Sequence, residues 1–525
     1  MKLYNKFIKF CCLCVATFSI SSCDNYFELD RPIQFPWQNA TELELAVREG
    51  YLHMSNDPWF NPMGTLTLVD FGQSDVARLL PEAIQGNNYA VQYYNRAYKT
   101  APSDKEVAEA FKFLYYIITN NNAALQMLNQ AESEGRDPFE GMVAADREKV
   151  QRFKGELYFM RGVAYWYLAR LYAPPFNPQG NNDSRHFVLR TDYVTNPEEL
   201  KNPKLGSVAE VWEQIQHDFE KAKELLPESY VSSEAQPKGR ANKYAAAGML
   251  TRVYFITGQH DKAKAECDFI LSSSMYDLSE DPIVAFNRTG AESSKEVIWE
   301  IAYVNPSTRF DRTPGIYSKN LYNNTNRGGD YSTFTVAYSA LKKIGWMVDG
   351  LNGDYTEIPD ALNDKRYTQL YKRYEAHGQP NGDPNATVKV PRPEVWVDKY
   401  FRASNGRYSN RPMIRLAEFY LTRSILRFNA GDKQGAAADV NVVRRRAGLA
   451  DISAEAITAD DIHNERIKEL TSEHGDRGYY LIGLRLPMEI GDRDPARFQP
   501  VQAPYSDYFW PVPIIEQQQN GSYNQ

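Results

Sequence analysis

Two stretches of this 525-residue chain concentrate side chains that suit sugar recognition. The first is "QGNNYAVQYYNRAY", with Asn87, Asn88, Tyr89, Tyr93, Tyr94, Asn95 and Arg96. The second is "GIYSKNLYNNTNRGGDYSTF", with Tyr317, Tyr322, Asn323, Asn324, Arg327, Asp330 and Tyr331. A sugar ring presents an apolar C–H face that stacks on tyrosine or tryptophan, while Asn, Asp and Arg bond its hydroxyl groups. Tyrosine pairs an apolar ring with a polar tip, which suits wet binding surfaces and helix packing alike. Any one of these rings reads more simply as packing against a helical body. The grouping with amides and charges is what points to binding.

Catalytic spacing is not apparent. The seven histidines are scattered, and "HNERIKELTSEH" holds His463 and His474 without the HExxH arrangement of a zinc site. Glu465, Glu469 and Glu473 recur four apart there, a ladder that reads as a solvated or ion-paired helix face. No GxSxG elbow, GxxxxGKS/T loop or GxGxxG turn occurs. In "VDGLNGDYTEIPD", Asp349, Asn352, Asp354 and Glu357 are oxygen ligands of the calcium type. They miss the alternating spacing of an EF-hand loop and read first as an acidic turn, so a structural calcium is a weak expectation and no other cofactor is expected. The 67 acidic residues allow many carboxylate pairs of the glycosidase kind, and the spacing singles out none.

The elements that must position these residues are mainly helical. "EVAEAFKFLYYIITNNNAALQMLNQAE" sets Phe111, Leu114, Tyr115 and Ile118 on one face. "KGELYFMRGVAYWYLARLYAPP" repeats Tyr158, Arg161, Tyr165, Leu168 and Tyr172 before Pro174 and Pro175 end the helix. "SVAEVWEQIQHDFEKAKELLP" opens with a Ser207–Glu210 capping box and stops at Pro227. Two further segments, "NKYAAAGMLTRVYFITGQHDKAKAECDFIL" and "IRLAEFYLTRSILRFNAGDKQGAAADVNVVRRRAGL", read as helical hairpins. With Gly258 set on Gly431, Ala263 falls on Ala436, Ala265 on Ala438 and Ile270 on Val443. This looks like a degenerate tetratricopeptide pattern, in which stacked hairpins bury faces that one alone cannot. Residues 51–100 and 303–412 are weakly periodic and rich in Asn, Gly, Pro and Tyr. Loops of that length are commonly functional.

The N-terminus reads as a targeting segment. Lys2, Lys6 and Lys9 precede "FCCLCVATFSI", which is too short for a bilayer core needing roughly 20 apolar residues. Ile20-Ser21-Ser22-Cys23 resembles a bacterial lipobox, so Cys23 is expected to be lipidated and to begin the mature chain. The alternative is an ordinary signal peptide followed by an incidental cysteine. Of the five cysteines, Cys11, Cys12 and Cys14 leave with the signal, and Cys267 alone remains beside Cys23. It reads as a small buried hydrophobe, with neither a disulfide framework nor a thiolate metal site. Loss of residues 1–22, with three lysines and no acid, takes the net charge from −7 to −10. That balance argues against nucleic acid and against anionic lipid headgroups as partners. With 35 Tyr, 25 Phe and 8 Trp and no long low-complexity linker, residues 23–525 read as one large body.

Six blocks in order carry a family resemblance. They are "YYIITNNNAAL", "GELYFMRGVAYWYLARLY" (with Gly162 where alanine is usual), "KYAAAGMLTRVYFITG", "RPMIRLAEFYLTRSILRFNAGD…NVVRRRAGL", "IHNERIKELTSEHGDRGYYLIGLRL" and "YFWPVPIIEQQQNGSYNQ". Together they make the chain resemble a SusD/RagB family outer-membrane lipoprotein of the Bacteroidetes. The resemblance implies a mostly α, SusD-like fold with four tetratricopeptide-like hairpins supporting an irregular ligand-binding half. Residues 23–280 would form the N-terminal part and residues 281–525 the C-terminal part with the last hairpin. It implies a non-enzymatic, glycan-binding protein anchored in the outer membrane through acylated Cys23, facing the cell exterior and capping a TonB-dependent SusC-like transporter. Asp24, Glu28 and Asp30 follow the cysteine, as acidic residues often do in exported lipoproteins of that phylum. In the starch-binding prototype an aromatic arc comes from a segment before the first repeat helix and from mid-chain loops. The corresponding candidates here are Tyr89, Tyr93, Tyr94, Asn95, Arg96, Tyr317, Tyr322, Asn323 and Tyr331. The prototype's arc uses tryptophan, for which Trp59 and Trp346 are the outlying candidates. That departure leaves open a peptide ligand, as in RagB-like relatives. A scaffold without a sugar site and a hydrolase are further alternatives.

Overall fold

The computed structural model describes residues 37–55, 62–80, 88–97, 105–230, 237–286, 294–302, 334–350, 355–357, 359–378, 387–400 and 410–524. Cys23, Trp59 and residues 317–331 therefore lie outside the described residues.

The helical half is a run of neighbours. Helix α1 (Ala40–Ser55) lies against α4 (Lys105–Ser133) and α5 (Ala144–Leu171), and α4 packs on α5. From α5 the packing continues through α6 (Val208–Leu225), α7 (Lys243–Ile256), α8 (His260–Leu271) and α11 (Leu416–Asn429) to α12 (Lys433–Arg446) and α13 (Ala459–Leu470). The capping box of α6 is present in both directions, Ser207 accepting from the Glu210 amide and Glu210 from the Ser207 amide.

Helix α5 is the pivot. From Phe153 to Leu171 it is buried on every side, a wider burial than the single stripe its sequence displays. Its charged residues enter the interior because each meets a partner from another element. Glu156 receives Arg240, Arg161 holds Asp218 of α6 at 2.9 and 2.7 Å, and Arg170 reaches Asp70. Gly162 makes the approach to α6 possible, since a Cβ there would stand 2.8 Å from the Phe219 ring.

The matched positions of the two hairpins have the same backbone and burial character. Gly258 and Gly431 both take positive φ, 75° and 87°, where a side chain would be strained. Ala263 and Ala436 are fully buried, Ala265 and Ala438 are exposed, and Ile270 and Val443 are fully buried. Cys267 is a buried free thiol on the same inner face, its pKa pushed up by desolvation. The second hairpin begins later than its sequence implies, because Arg411–Arg415 form a strand that pairs antiparallel with β2 (Val297–Ile301).

The described parts of the weakly periodic regions hold regular elements that their sequences do not indicate. Residues 51–100 contain α2 (Pro62–Gln73), β1 (Ala77–Leu79) and α3 (Asn88–Tyr94). Further along, β3 (Phe334–Val336) precedes α9 (Tyr338–Lys343), α10 (Lys365–Leu370) follows, and a long hairpin pairs Tyr371–Gly378 with Thr387–Val397. A second apolar core fills this half, with Phe71, Phe334, Trp346, Tyr371 and Val395 among its members.

The glutamate ladder is ion-paired but not solvated, and only Glu465 and Glu469 lie on α13, since the helix ends at Leu470 and Glu473 sits in the turn after it. Glu465, Glu469 and Glu473 are all at most 2 % exposed. Arg366 of α10, Arg415 and Arg446 of α12 converge on them, with Lys399 on Glu473 and Glu296 completing the seam. The arginine-rich end of α12 is divided: Arg446 is buried, Arg444 is half-buried against Glu465, and Arg445 is exposed and pairs with Asp451 at the surface.

Candidate functional site

The first tyrosine cluster is built on α3, a seven-residue helix seated between α2 and β1. Helix α2, "PMGTLTLVDFGQ", carries one charged residue, Asp70, and Arg170 neutralises it inside the core. Tyr89 occupies the first turn of α3. Tyr93 is fully buried, with its ring edge-on to Trp510 at 5.4 Å, so its faces are taken by the protein. Tyr94 is also buried and lies beneath the Arg493 guanidinium, 4.2 Å from the ring centroid. Burial pushes its hydroxyl pKa up, against the pull of Arg493.

Asn95 and Arg96 terminate α3. The Asn95 amide bonds the Val91 carbonyl, and Arg96 turns into positive φ at 51°. The Arg96 guanidinium donates to the carbonyls of Gln73 at 2.8 Å and Glu489 at 2.7 Å, so it serves as a strut between α2 and the C-terminal segment. Asn95 is half-buried. Of the expected ligand contacts in this cluster, the structure thus commits Tyr93, Tyr94 and Arg96 to internal packing. The reason is the same for all: α3 is too short to stand alone and is held by its own larger side chains.

Tyr317, Tyr322, Asn323 and Tyr331 lie outside the described residues. The strand that follows them, β3, pairs antiparallel with β1, Leu79 opposite Phe334 and Ala77 opposite Val336. The strand before the first cluster and the strand after the second are therefore hydrogen-bonded neighbours. Arg78 of β1 stacks on Tyr338 at 4.7 Å and pairs with Glu394 at 3.0 Å. Trp346 is not an accessible platform. It is 2 % exposed and packs edge-on against Tyr367 and Tyr371.

Sequence reading overlooked the segment that holds this region from behind. Arg477 grips Asp75 with two bonds of 2.8 and 2.7 Å. Asp492 and Arg493 sit in an irregular stretch with no periodicity to mark them. Elsewhere, a groove of about 490 Å³ at the α4–α5 turn is lined by Leu128, Met142 and Val150 under an ion-paired rim, Arg147 with Asp137 and Lys154 with Glu132. It carries no aromatic side chain.

Among the described residues no group of three or more His, Cys, Asp or Glu is arranged to hold a metal ion. Asp349 of the candidate calcium turn pairs with Lys342 at 2.6 Å, Glu357 lies opposite Met347 in a short hairpin, and Asn352 and Asp354 are outside the described residues. Among the described residues no helix is long and apolar enough to cross a membrane.

Comparison with known proteins agrees over nearly the whole length. Residues 72–255 match the SusD-like family described as "Starch-binding associating with outer membrane", and residues 233–479 match the SusD family. A SusD-like protein P2 of Formosa agariphila is 26 % identical over 518 residues, covering 93 % of this chain and 92 % of that protein. A SusD-like carbohydrate binding protein from Bacteroides vulgatus superposes with a TM-score of 0.68 at 18 % identity, covering 93 % of this chain and 97 % of its own. Surface glycan-binding protein A of Bacteroides thetaiotaomicron, solved with laminarihexaose, superposes with a TM-score of 0.66 at 16 % identity, covering 92 % and 98 %. With two family matches that together run from residue 72 to 479, and with this mostly α fold shared by its structural neighbours, the chain belongs to the SusD/RagB family.

Proposed function

We propose that this protein is a cell-surface glycan-binding lipoprotein, anchored through acylated Cys23, that captures oligosaccharide and passes it to a TonB-dependent SusC-like outer-membrane transporter. One observation carries the binding part. The β1–β3 pair joins the ends of two segments that concentrate tyrosine, asparagine and arginine. The laminarihexaose bound by a structural neighbour supports the ligand class. Tyr89, Asn95, Tyr317, Tyr322, Asn323 and Tyr331 are the residues assigned to the sugar.

Binding rather than hydrolysis is supported by where the perturbed carboxylates are. A general acid needs a raised pKa and access to substrate. Among the described residues, Asp70, Glu156 and Asp476 have pKa values raised by burial, but each faces a guanidinium in the core, Arg170, Arg240 and Arg466 respectively, and Glu266, raised likewise, is held by Lys223 at 2.8 and 2.7 Å.

Calorimetric titration of the purified chain with a panel of α- and β-linked oligosaccharides tests the ligand. Loss of binding when Tyr89, Tyr317, Tyr322 and Tyr331 are changed together to alanine is the expected result. Affinity for oligopeptides alone would replace the glycan, and release of reducing sugar would overturn the non-enzymatic reading. Membrane association that survives Cys23→Ala would remove the anchor, and failure to co-purify a TonB-dependent barrel from native membranes would remove the transporter.

A further inference from the structure

We propose that Asp492 and Arg493 are positioning residues for ligand binding, a clip of two consecutive side chains that fixes the segment carrying the first tyrosine cluster against the segment that follows the second. The role rests on the glycan-binding reading above.

The geometry is specific. Asp492 accepts from the amides of Tyr338 at 2.7 Å and Ser339 at 2.9 Å, the opening of α9 directly after β3. Arg493 points the other way. Its guanidinium donates to the carbonyls of Tyr94 at 2.5 Å, Ser74 at 3.0 Å and Gly72 at 3.0 Å, and lies over the Tyr94 ring. One side chain thus holds the segment after the second tyrosine cluster and the next holds the segment that carries the first. The same two segments also meet through the three-residue β1–β3 ladder, the Ala337 amide on the Val76 carbonyl at 2.8 Å, the Phe71 ring edge-on to Phe334 and Arg78 over Tyr338. The ladder is short and the ring contacts are non-directional, so the clip adds directional, charge-assisted bonds to that packing.

The chemistry fits the task. A carboxylate accepting two amides and a planar guanidinium donating to several carbonyls are charge-assisted and directional. Arg493 is 3 % exposed, so its bonds are shielded from water, whereas Asp492 is half-buried. Neither side chain is assigned to the sugar. Their effect on affinity would be through pre-organisation, because a platform whose halves move must be ordered when ligand binds.

The test uses the full-length chain in detergent, with the α- and β-linked oligosaccharide panel as probe and amide hydrogen exchange as a second readout. Asp492→Ala should weaken glycan binding about tenfold and speed exchange at Tyr338 and Ser339, with little change in melting temperature. Asp492→Asn keeps an acceptor oxygen and should restore most of the affinity. If Asp492→Ala does not fold, Arg493→Lys makes the same test, since an ammonium cannot serve carbonyls spread over the guanidinium fork. Wild-type affinity in a folded Asp492→Ala or Arg493→Lys protein overturns the proposal while leaving the glycan reading intact. A wild-type chain that binds no glycan overturns that reading and the positioning role with it, whatever the exchange data show.

Discussion

Arg415 and Glu473 meet side-on in the interior, Nε to Oε2 at 2.6 Å and Nη2 to Oε1 at 2.9 Å, both shielded from solvent. The same guanidinium also reaches Glu296 at 2.7 Å and Glu469 at 2.6 Å. One cation therefore ties the β-strand entry to α11, the end of α13 and the segment before Val297. Breaking such a seam leaves charges stranded where water cannot reach them. Arg415→Met should destabilise the protein by about 3–5 kcal/mol. Arg415→Lys should recover only part of that, because a point charge cannot face three carboxylates at once. Urea midpoints for the two variants check both statements.

Acid sensitivity should come in two stages. Desolvation alone would raise the Glu418 pKa, but Arg252, bonded at 2.8 and 2.7 Å, holds it down at about 2. A depressed carboxylate gives stability that is complete above its unfolded value and lost as pH falls towards the folded one. From a reference of 4.5 to about 2, this one buried group contributes roughly 3 kcal/mol. His474 beside it is kept neutral, its pKa depressed by burial and by Arg252. Its share is present above pH about 6.5 and declines below, as the unfolded chain takes up a proton first. Stability should therefore fall gently below pH about 6.5 and steeply below about 4.5, and Glu418→Gln should flatten the steep part. Chemical denaturation across that range gives the curve.

Local pattern carried the repeats and failed at the seam for a definable reason. Ala263 with Ala436 and Ile270 with Val443 were legible because a hairpin's inner face is set by residues within one or two turns of each other. The Ser207–Glu210 box was legible for the same reason. Glu465, Glu469 and Glu473 were not, because spacing of four is identical on a solvated face and on a buried one. Only the arrival of Arg366, Arg415 and Arg446 from other elements distinguishes the two. The candidate site suffered similarly. Helix α3 has two turns, too few for periodicity to mark Tyr93 and Tyr94 as the rings that support it. Asp492 and Arg493 act through backbone groups, and those have no side-chain signature in the sequence.

Gly162 is a case where a helix-favouring change should harm. Glycine to alanine in a helix interior ordinarily stabilises by about 1 kcal/mol. Here the new methyl would stand 2.8, 3.0 and 3.1 Å from three atoms of the Phe219 ring, itself fully buried. Gly162→Ala should cost about 1–3 kcal/mol through overpacking. Phe219→Leu in the same chain should relieve most of that cost, so the two changes will not be additive. Thermal melts of the two single variants and the double variant measure the coupling. The residue that resembles a departure from the family's usual alanine is thus matched to the ring opposite it.

Tyrosine substitutions in the first cluster should divide by mechanism. Tyr93→Ala removes a fully buried ring from its contact with Trp510 and should destabilise by about 3–5 kcal/mol, as large-to-small core changes do. Its loss of glycan affinity, if any, should track the fraction of unfolded protein and vanish when binding is scaled to folded chain. Tyr89→Ala should do the reverse, weakening glycan binding with little change in the urea midpoint. The discriminating measurement is affinity against stability for both variants at one temperature well below the transition. A Tyr89→Ala protein that melts early and binds normally would move Tyr89 to the core with Tyr93 and leave the second cluster as the remaining aromatic source for the platform.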